Sequence, residues 1–347
     1  MPRIPLLLAA LVFCASDAAA QRTSPAGAAA AAPAADPVVL VVHGGAGTIR
    51  RADMTPQTDA AVREALAQAL RAGYARWQAG APALDAVEAA IVVLEESPYF
   101  NAGRGGVFAA DGTVRHDASV MDGRTGAAGA AAGTMRVRHP IRLARAVMEH
   151  SPHVLLTDAG AEEFALEHGL ELVPNRYFHV ESRRRALDAA QQRERSATGG
   201  LRAPEPWQMT GTVGAVARDQ AGHLAAGTST GGMTNKRYGR VGDAPIIGAG
   251  TFAADETVGV SATGHGEYFI RLSVARDIHA RMAYLGEDVA VAAGHVIGTT
   301  LTEAGGTGGV IALDREGRVA MPFNTEGMYR GYVTASGQIV VAIYADE

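Results

Sequence analysis

Apolar positions along the chain switch between two periods. Val38 to Val42 is an unbroken apolar run, which predicts a strand buried on both faces. It ends in His43-Gly44-Gly45-Ala46-Gly47, which reads as a flexible turn. Val62, Leu66, Ala69, Gly73 and Trp77 recur at helical spacing. Leu84, Val87, Ile91 and Leu94 do the same in a second helix, with Pro82 near its start. Asn101 to Gly106 is a glycine-rich loop, and two short strands around Asp111-Gly112 suggest a hairpin. Ala127 to Thr134 is a strand of small residues. A helix follows Pro140, and another runs from about Asp158 to His168, where Gly169 stops it.

From about Glu181 to Met209 charge and flexibility dominate. The first part extends as helix, and a mobile linker is expected over about 186–209. A meander of strands then begins, at Thr212 to Arg218, Leu224 to Thr228, Ile246 to Phe252 and Thr257 to Thr263. Two helices follow, roughly Glu267 to Tyr284 and Asp288 to Glu303. Strands are expected at Gly309 to Leu313, Arg318 to Phe323 and Gln338 to Tyr344. No internal repeat is present. Helices in pairs alternating with groups of strands suit two sheets packed face to face with helices outside, an α/β architecture.

Composition narrows the class. The 347 residues carry a formal net charge of −5, with 48% hydrophobic residues and 42 glycines. That suits an α/β protein with a sizeable core and offers no basic stripe for nucleic acid. Beyond the first residues no apolar run has the length of a membrane span. Residues 1–20 read as a signal peptide: Arg3, then Leu6 to Phe13, then Ala18-Ala19-Ala20 as a cleavage site. Residues 21–36 form an Ala/Pro-rich linker, and the mature domain is expected over 37–347. The expected location is therefore exported, periplasmic or secreted. Cys14 is the single cysteine, so removal of the leader leaves none.

The chemistry centres on Gly211-Thr212, where a polar stretch meets an abrupt apolar strand. Cut there, Thr212 would carry a hydroxyl nucleophile and a free α-amine whose pKa lies near about 7.7–8.0, close to working pH. By itself Gly-Thr favours the plainer reading of a strand-edge threonine. Three further runs add to it: Gly227-Thr228-Ser229-Thr230-Gly231-Gly232-Met233-Thr234-Asn235-Lys236, Gly239-Arg240-Val241-Gly242-Asp243, and Ala262-Thr263-Gly264-His265-Gly266-Glu267. In order and spacing these runs, with Gly211-Thr212-Val213-Gly214, resemble the plant-type L-asparaginase/isoaspartyl peptidase family of N-terminal-nucleophile hydrolases. The resemblance extends to His43-Gly44-Gly45-Ala46-Gly47, Asn101-Ala102-Gly103-Arg104-Gly105, Asp117 to Gly123 and Pro322 to Met328.

The resemblance implies a four-layer αββα sandwich of two antiparallel sheets flanked by helices. It implies a precursor that cuts itself between Gly211 and Thr212 into an α chain (about 21–211) and a β chain (212–347). Thr212 would then hydrolyse asparagine or β-aspartyl peptides through an acyl-enzyme. Thr263 and the Gly264 backbone would form the oxyanion hole and also touch substrate, and Thr230 would tune the Thr212 hydroxyl. Arg240 would take the substrate α-carboxylate and Asp243 its α-ammonium. The loop Leu94 to Gly105 would hold a structural sodium through backbone carbonyls. No catalytic metal or cofactor is implied. The substrate would be a small molecule or dipeptide, and the assembly a homodimer of αβ units. Each residue has a plainer reading: Thr230 as a turn residue, Thr263 as a strand end, Arg240–Asp243 as a surface ion pair, His265 as a loop histidine. Rival functions are a serine hydrolase with Ser229 in G-x-S-x-G, an exported amino-acid-binding protein, and a glycosylasparaginase-like enzyme.

Overall fold

The computed structural model describes residues 36–196 and 211–347. The expected signal peptide, all of the 21–36 linker except Asp36, and residues 197–210 of the expected mobile linker lie outside the described residues. In chain order the elements are Val38–Gly47 (β1), Pro56–Gln78 (α1), Ala83–Glu96 (α2), His116–Asp122 (β2), Ala128–Thr134 (β3), Pro140–His150 (α3), Leu155–Thr157 (β4), Asp158–Glu167 (α4) and Glu181–Ser196 (α5). Beyond residue 211 follow Val213–Arg218 (β5), Leu224–Thr230 (β6), Thr251–Ala253 (β7), Val258–Gly264 (β8), Gly266–Leu272 (α6), Val274–Leu285 (α7) and Val289–His295 (α8). Gly308–Asp314 (β9), Val319–Ala320 (β10), Gly327–Thr334 (β11) and Ile339–Tyr344 (β12) complete the fold.

Eight strands form one sheet in the order β12-β11-β1-β5-β6-β2-β3-β4, antiparallel except for the β3–β4 edge. A second, antiparallel sheet has the order β10-β9-β8-β7. Helices α1 to α3 cover one face of the large sheet, the small sheet covers the other, and α7 and α8 lie outside the small sheet. This is the expected αββα sandwich. Alternation along β5 sorts its side chains. Val213, Ala215 and Ala217 pack with Val87 and Ile91 beneath the helices, whereas Val216 packs with Val260 between the sheets. The apolar run of β1 is buried on both faces for the same reason. A register shift between Val38 and Leu40 puts Val39 and Leu40 together on the helix side and Val41 on the inter-sheet side.

Several local expectations change. His43 to Gly47 is not a turn: β1 continues through it, paired with β11 as far as Gly47–Gly327. Of Ile246 to Phe252 only the end is strand, and the Asp111-Gly112 hairpin reduces to one bridge between Phe108 and Val114. The helix expected over 267–284 breaks at Ser273, whose φ of 50° starts a new helix. The next helix closes in a π-helical turn, Val296–Leu301. Of the strand expected at Arg318 to Phe323 only Val319–Ala320 is paired as β10. Strands β2, β4 and β11 carried no clear signal, because buried His116, Asp117 and Ser119 and the glycines of β11 interrupt the apolar pattern. Regular helix runs over Glu181–Ser196, across the first part of the segment expected as a mobile linker.

The small-residue strand β3 has a packing cause. A Cβ on Gly129 would fall onto the backbone of α3 at Ala144 O and Met148 N. Gly129→Ala must therefore push α3 from the sheet, and overpacking of this kind costs about 1–3 kcal/mol. A lowered midpoint of thermal unfolding is the expected outcome. An unchanged midpoint would show that this contact yields freely.

Candidate active site

Thr212 sits at the mouth of β5, 8% exposed, and three of its atoms are held. Its backbone N–H donates to Thr263 Oγ1 at 3.3 Å. Its carbonyl oxygen accepts from His43 Nδ1 at 3.0 Å. Its hydroxyl donates to Thr230 Oγ1 at 3.1 Å. A carbonyl can only accept, so His43 carries its proton on Nδ1. Burial pushes the His43 pKa down to about 3, leaving the ring neutral and Nε2 bare. Nε2 therefore accepts from Ser261 Oγ at 2.9 Å. Ser261 joins Thr228, Thr251 and Ser119 in a buried chain of hydroxyls that ends on the Ala244 carbonyl, next to Asp243.

The glycines flanking His43 make room. A Cβ on Gly45 would fall on the backbone of Gly211, and one on Gly211 would fall on Gly45. Gly45 also has φ of 119°, a conformation that glycine accommodates without strain. The run His43-Gly44-Gly45-Ala46-Gly47 is thus the bed on which Gly211-Thr212 lies. Ala46 N–H donates to Thr263 Oγ1 at 3.2 Å, so this hydroxyl accepts twice while its own proton has no acceptor among the described residues. Gly264, at the end of β8, has φ of 150°, and a Cβ there would meet Thr307 O and Gly308. Thr230 Oγ1 also accepts from Gly232 N–H at 2.9 Å, and Asn101 Nδ2 braces the Gly232 carbonyl at 2.7 Å.

Thr212, Thr230, Arg240, Asp243, Gly211 and Gly264 line one cavity of about 20 Å³, room for little more than a water. Every residue singled out in the sequence for this chemistry therefore converges here, with Thr263 directly behind. Arg240 and Asp243 are not a surface ion pair. Asp243 is buried, its Oδ2 has no hydrogen-bond partner, and burial raises its pKa to about 7 although Arg240 opposes the shift. Arg240 is held by Glu267 through two bonds of 3.0 Å. Burial works against its charge, but Glu267 more than offsets this and keeps its pKa above the ordinary value. His265 Nε2 lies 3.3 Å from the same carboxylate, outside the cavity lining. Sequence reading passed over three supports: His43, Asn101 and Glu267. All three lie in runs whose glycines drew attention first.

In the loop Leu94 to Gly105 the chain folds closely onto itself. Carbonyl oxygens of Glu95, Ser97 and Phe100 crowd the positions where Cβ atoms of Gly103 and Gly105 would stand. Among the described residues no cluster of three His, Cys, Asp or Glu side chains could hold a metal. No helix among them is long and apolar enough to cross a membrane.

Ser229 faces the other way. It is fully buried, and its hydroxyl donates to Glu95 Oε1 at 2.6 Å on the helix side of β6. No helix follows β6, so the G-x-S-x-G match is not a nucleophile elbow.

The two packed sheets with their flanking helices and the threonine-lined cavity are the frame of a hydrolase family. Residues 36–343 match the family described as Asparaginase, and the chain belongs to that family. It is 48% identical to the isoaspartyl peptidase of Salmonella typhimurium over 309 residues, covering 89% of this chain and 99% of that protein. Identity to the Escherichia coli isoaspartyl peptidase is also 48%, over 89% of this chain and 97% of that protein. The human isoaspartyl peptidase/L-asparaginase is 38% identical over 81% of this chain and 88% of its own length.

Ser229→Ala separates the two hydroxyl roles. It leaves the buried Glu95 short of a donor, which costs about 1–3 kcal/mol of stability. The variant should melt earlier yet keep its turnover, and a serine-directed phosphonate should not label the wild type. Labelling at Ser229 would contradict this assignment.

Proposed function

We propose that the protein is a self-cleaving threonine hydrolase that removes N-terminal β-aspartyl residues from peptides and converts L-asparagine to L-aspartate and ammonia. The observation that carries this reading is Thr212 gripped at N, O and Oγ beside an unpaired buried Asp243 and an oriented Arg240. In the uncut chain Thr212 Oγ attacks the Gly211 carbonyl carbon, the Gly211–Thr212 C–N bond breaks as the hydroxyl proton passes to the nitrogen, and water hydrolyses the resulting ester. This frees the Gly211 carboxylate and the Thr212 amine. In the cut enzyme that amine takes the Oγ proton as the hydroxyl attacks the substrate side-chain carbonyl. The Thr263 hydroxyl and Gly264 backbone N–H stabilise the oxyanion. The proton passes to the departing amine, and water releases aspartate from Thr212.

Substrate recognition follows from charge. Arg240, its fork oriented by Glu267, takes the α-carboxylate, and Asp243 takes the α-ammonium. A sodium ion in the 94–105 loop belongs to the same reading, in a structural role. So do export after removal of residues 1–20 and a homodimer of αβ units. The curated relatives named isoaspartyl peptidase favour this over a glycosylasparaginase-like specificity.

Intact-mass measurement after a day at neutral pH should give two pieces, one beginning at Thr212. Thr212→Ala should give one uncut chain and no turnover. An uncut, inactive wild type would instead favour an amino-acid-binding protein.

Asp243 sets a pH dependence. Its carboxylate must be ionised to hold an ammonium, and burial raises its pKa to about 7. KM for asparagine should therefore rise as pH falls below about 7, with kcat changing less. In Asp243→Asn the KM should be about 10–100-fold higher and independent of pH over that range, as expected for losing a charge-assisted bond. An unchanged profile in Asp243→Asn would remove this residue from substrate binding.

A further inference from the structure

A second cavity, of about 290 Å³, adjoins the first. The two share only Ala46 and Gly211 in their linings. Gly211 is thus part of the wall between them, and a cut after Gly211 frees that wall to move. The reactant geometry decides what would then enter each side. Arg240 and Asp243 fix the aspartyl α-groups in the small cavity. The scissile amide gives its carbonyl to the aspartyl side and its nitrogen to the departing residue. The departing residue must therefore leave away from Arg240 and Asp243. A third groove, of about 500 Å³, shares Arg240 with the first cavity and so lies on the wrong side.

The second cavity carries a cation suited to a peptide end. Its lining includes Arg50, Tyr99, Arg183 and Tyr329. Arg50 is already matched by Asp53 at 2.9 Å and Glu326 at 3.6 Å. Arg183 is not matched. Its Nε donates to Gly105 O at 3.0 Å and one Nη to Tyr99 O at 3.2 Å. Both acceptors are neutral, and among the described residues the other Nη has no hydrogen-bond partner and no carboxylate pairs with this guanidinium. Two fixed bonds hold one edge of the fork and leave the other for an anion.

We propose that this cavity is the leaving-group subsite, with Arg183 receiving the α-carboxylate of the residue that follows the β-aspartyl group. This rests on the isoaspartyl peptidase reading above and adds the feature that separates dipeptides from free asparagine. Asparagine releases ammonia, which has no carboxylate to offer. Arg183 acts in specificity and takes no part in the chemical step.

The test compares kcat/KM of the processed enzyme for L-asparagine, β-aspartyl-leucine and the C-terminal amide of that dipeptide. In the wild type, amidation should lower kcat/KM about tenfold, the size of one charge-assisted contact. Arg183→Met should lower the ratio of dipeptide to asparagine kcat/KM by a similar factor, and amidation should then cost little more. Arg183→Lys should recover part of the ratio, which a folding defect could not explain. Equal turnover of acid and amide by the wild type would overturn the proposal. So would an equal loss on asparagine and dipeptide in Arg183→Met, which would make Arg183 a brace for the Tyr99 and Gly105 carbonyls. Failure of the wild type on all three substrates would sink the isoaspartyl peptidase reading itself, and the subsite with it.

Discussion

The grip on Thr212 is the constraint around which the rest is arranged. Three atoms of one residue are fixed by three strands: β1 through His43, β6 through Thr230 and β8 through Thr263. Two of those strands lie in the large sheet and one in the small sheet, so the grip exists only while the sheets stay packed. The apolar layer between them, with Val41, Val216, Val260 and Ile311, therefore also sets the geometry of the grip. Glycines answer the same demand, since Gly45 and Gly211 approach backbone to backbone beside the site.

Electrostatics follow from burial. His43 is dry enough to stay neutral, which fixes its tautomer and directs the Ser261 hydroxyl toward it. Asp243 is dry enough to resist ionisation, and its Oδ2 has no hydrogen-bond partner. Arg240 escapes the same penalty because Glu267 accompanies it. The three neighbouring groups thus meet one low-dielectric environment in three ways: by losing charge, by keeping it at a cost, and by pairing.

Much of this was legible in the sequence, and the failures have local causes. Amphipathic spacing located α1 and α2, and short runs of apolar and small residues located β5, β6 and β8. The site residues were found through short runs rich in glycine, where close backbone approach demands a small residue. The same glycines misled over His43 to Gly47, because a strand built for contact looks like a turn. Strand β2 escaped because its polar residues are paired inside the protein: Ser119 bonds Ala244 O, and Asp117 accepts from Gly133 N–H. Glu267 and Asn101 act through other residues. Their roles depend on contacts 27 and 131 positions away in the chain, which no local pattern encodes.

The order of the large sheet has a mechanical consequence. Strand β1 runs between β11 and β5, and β6 runs between β5 and β2. Segments from before and after residue 211 are thus interleaved in one hydrogen-bonded ladder. A chain severed between Gly211 and Thr212 has no seam along which to part. Separating the pieces would mean stripping β1 from both neighbours and β2 from β6, exposing apolar layers on both faces. Severance would remove a covalent link and leave the scaffold intact, like a knot whose cord is trimmed after tying.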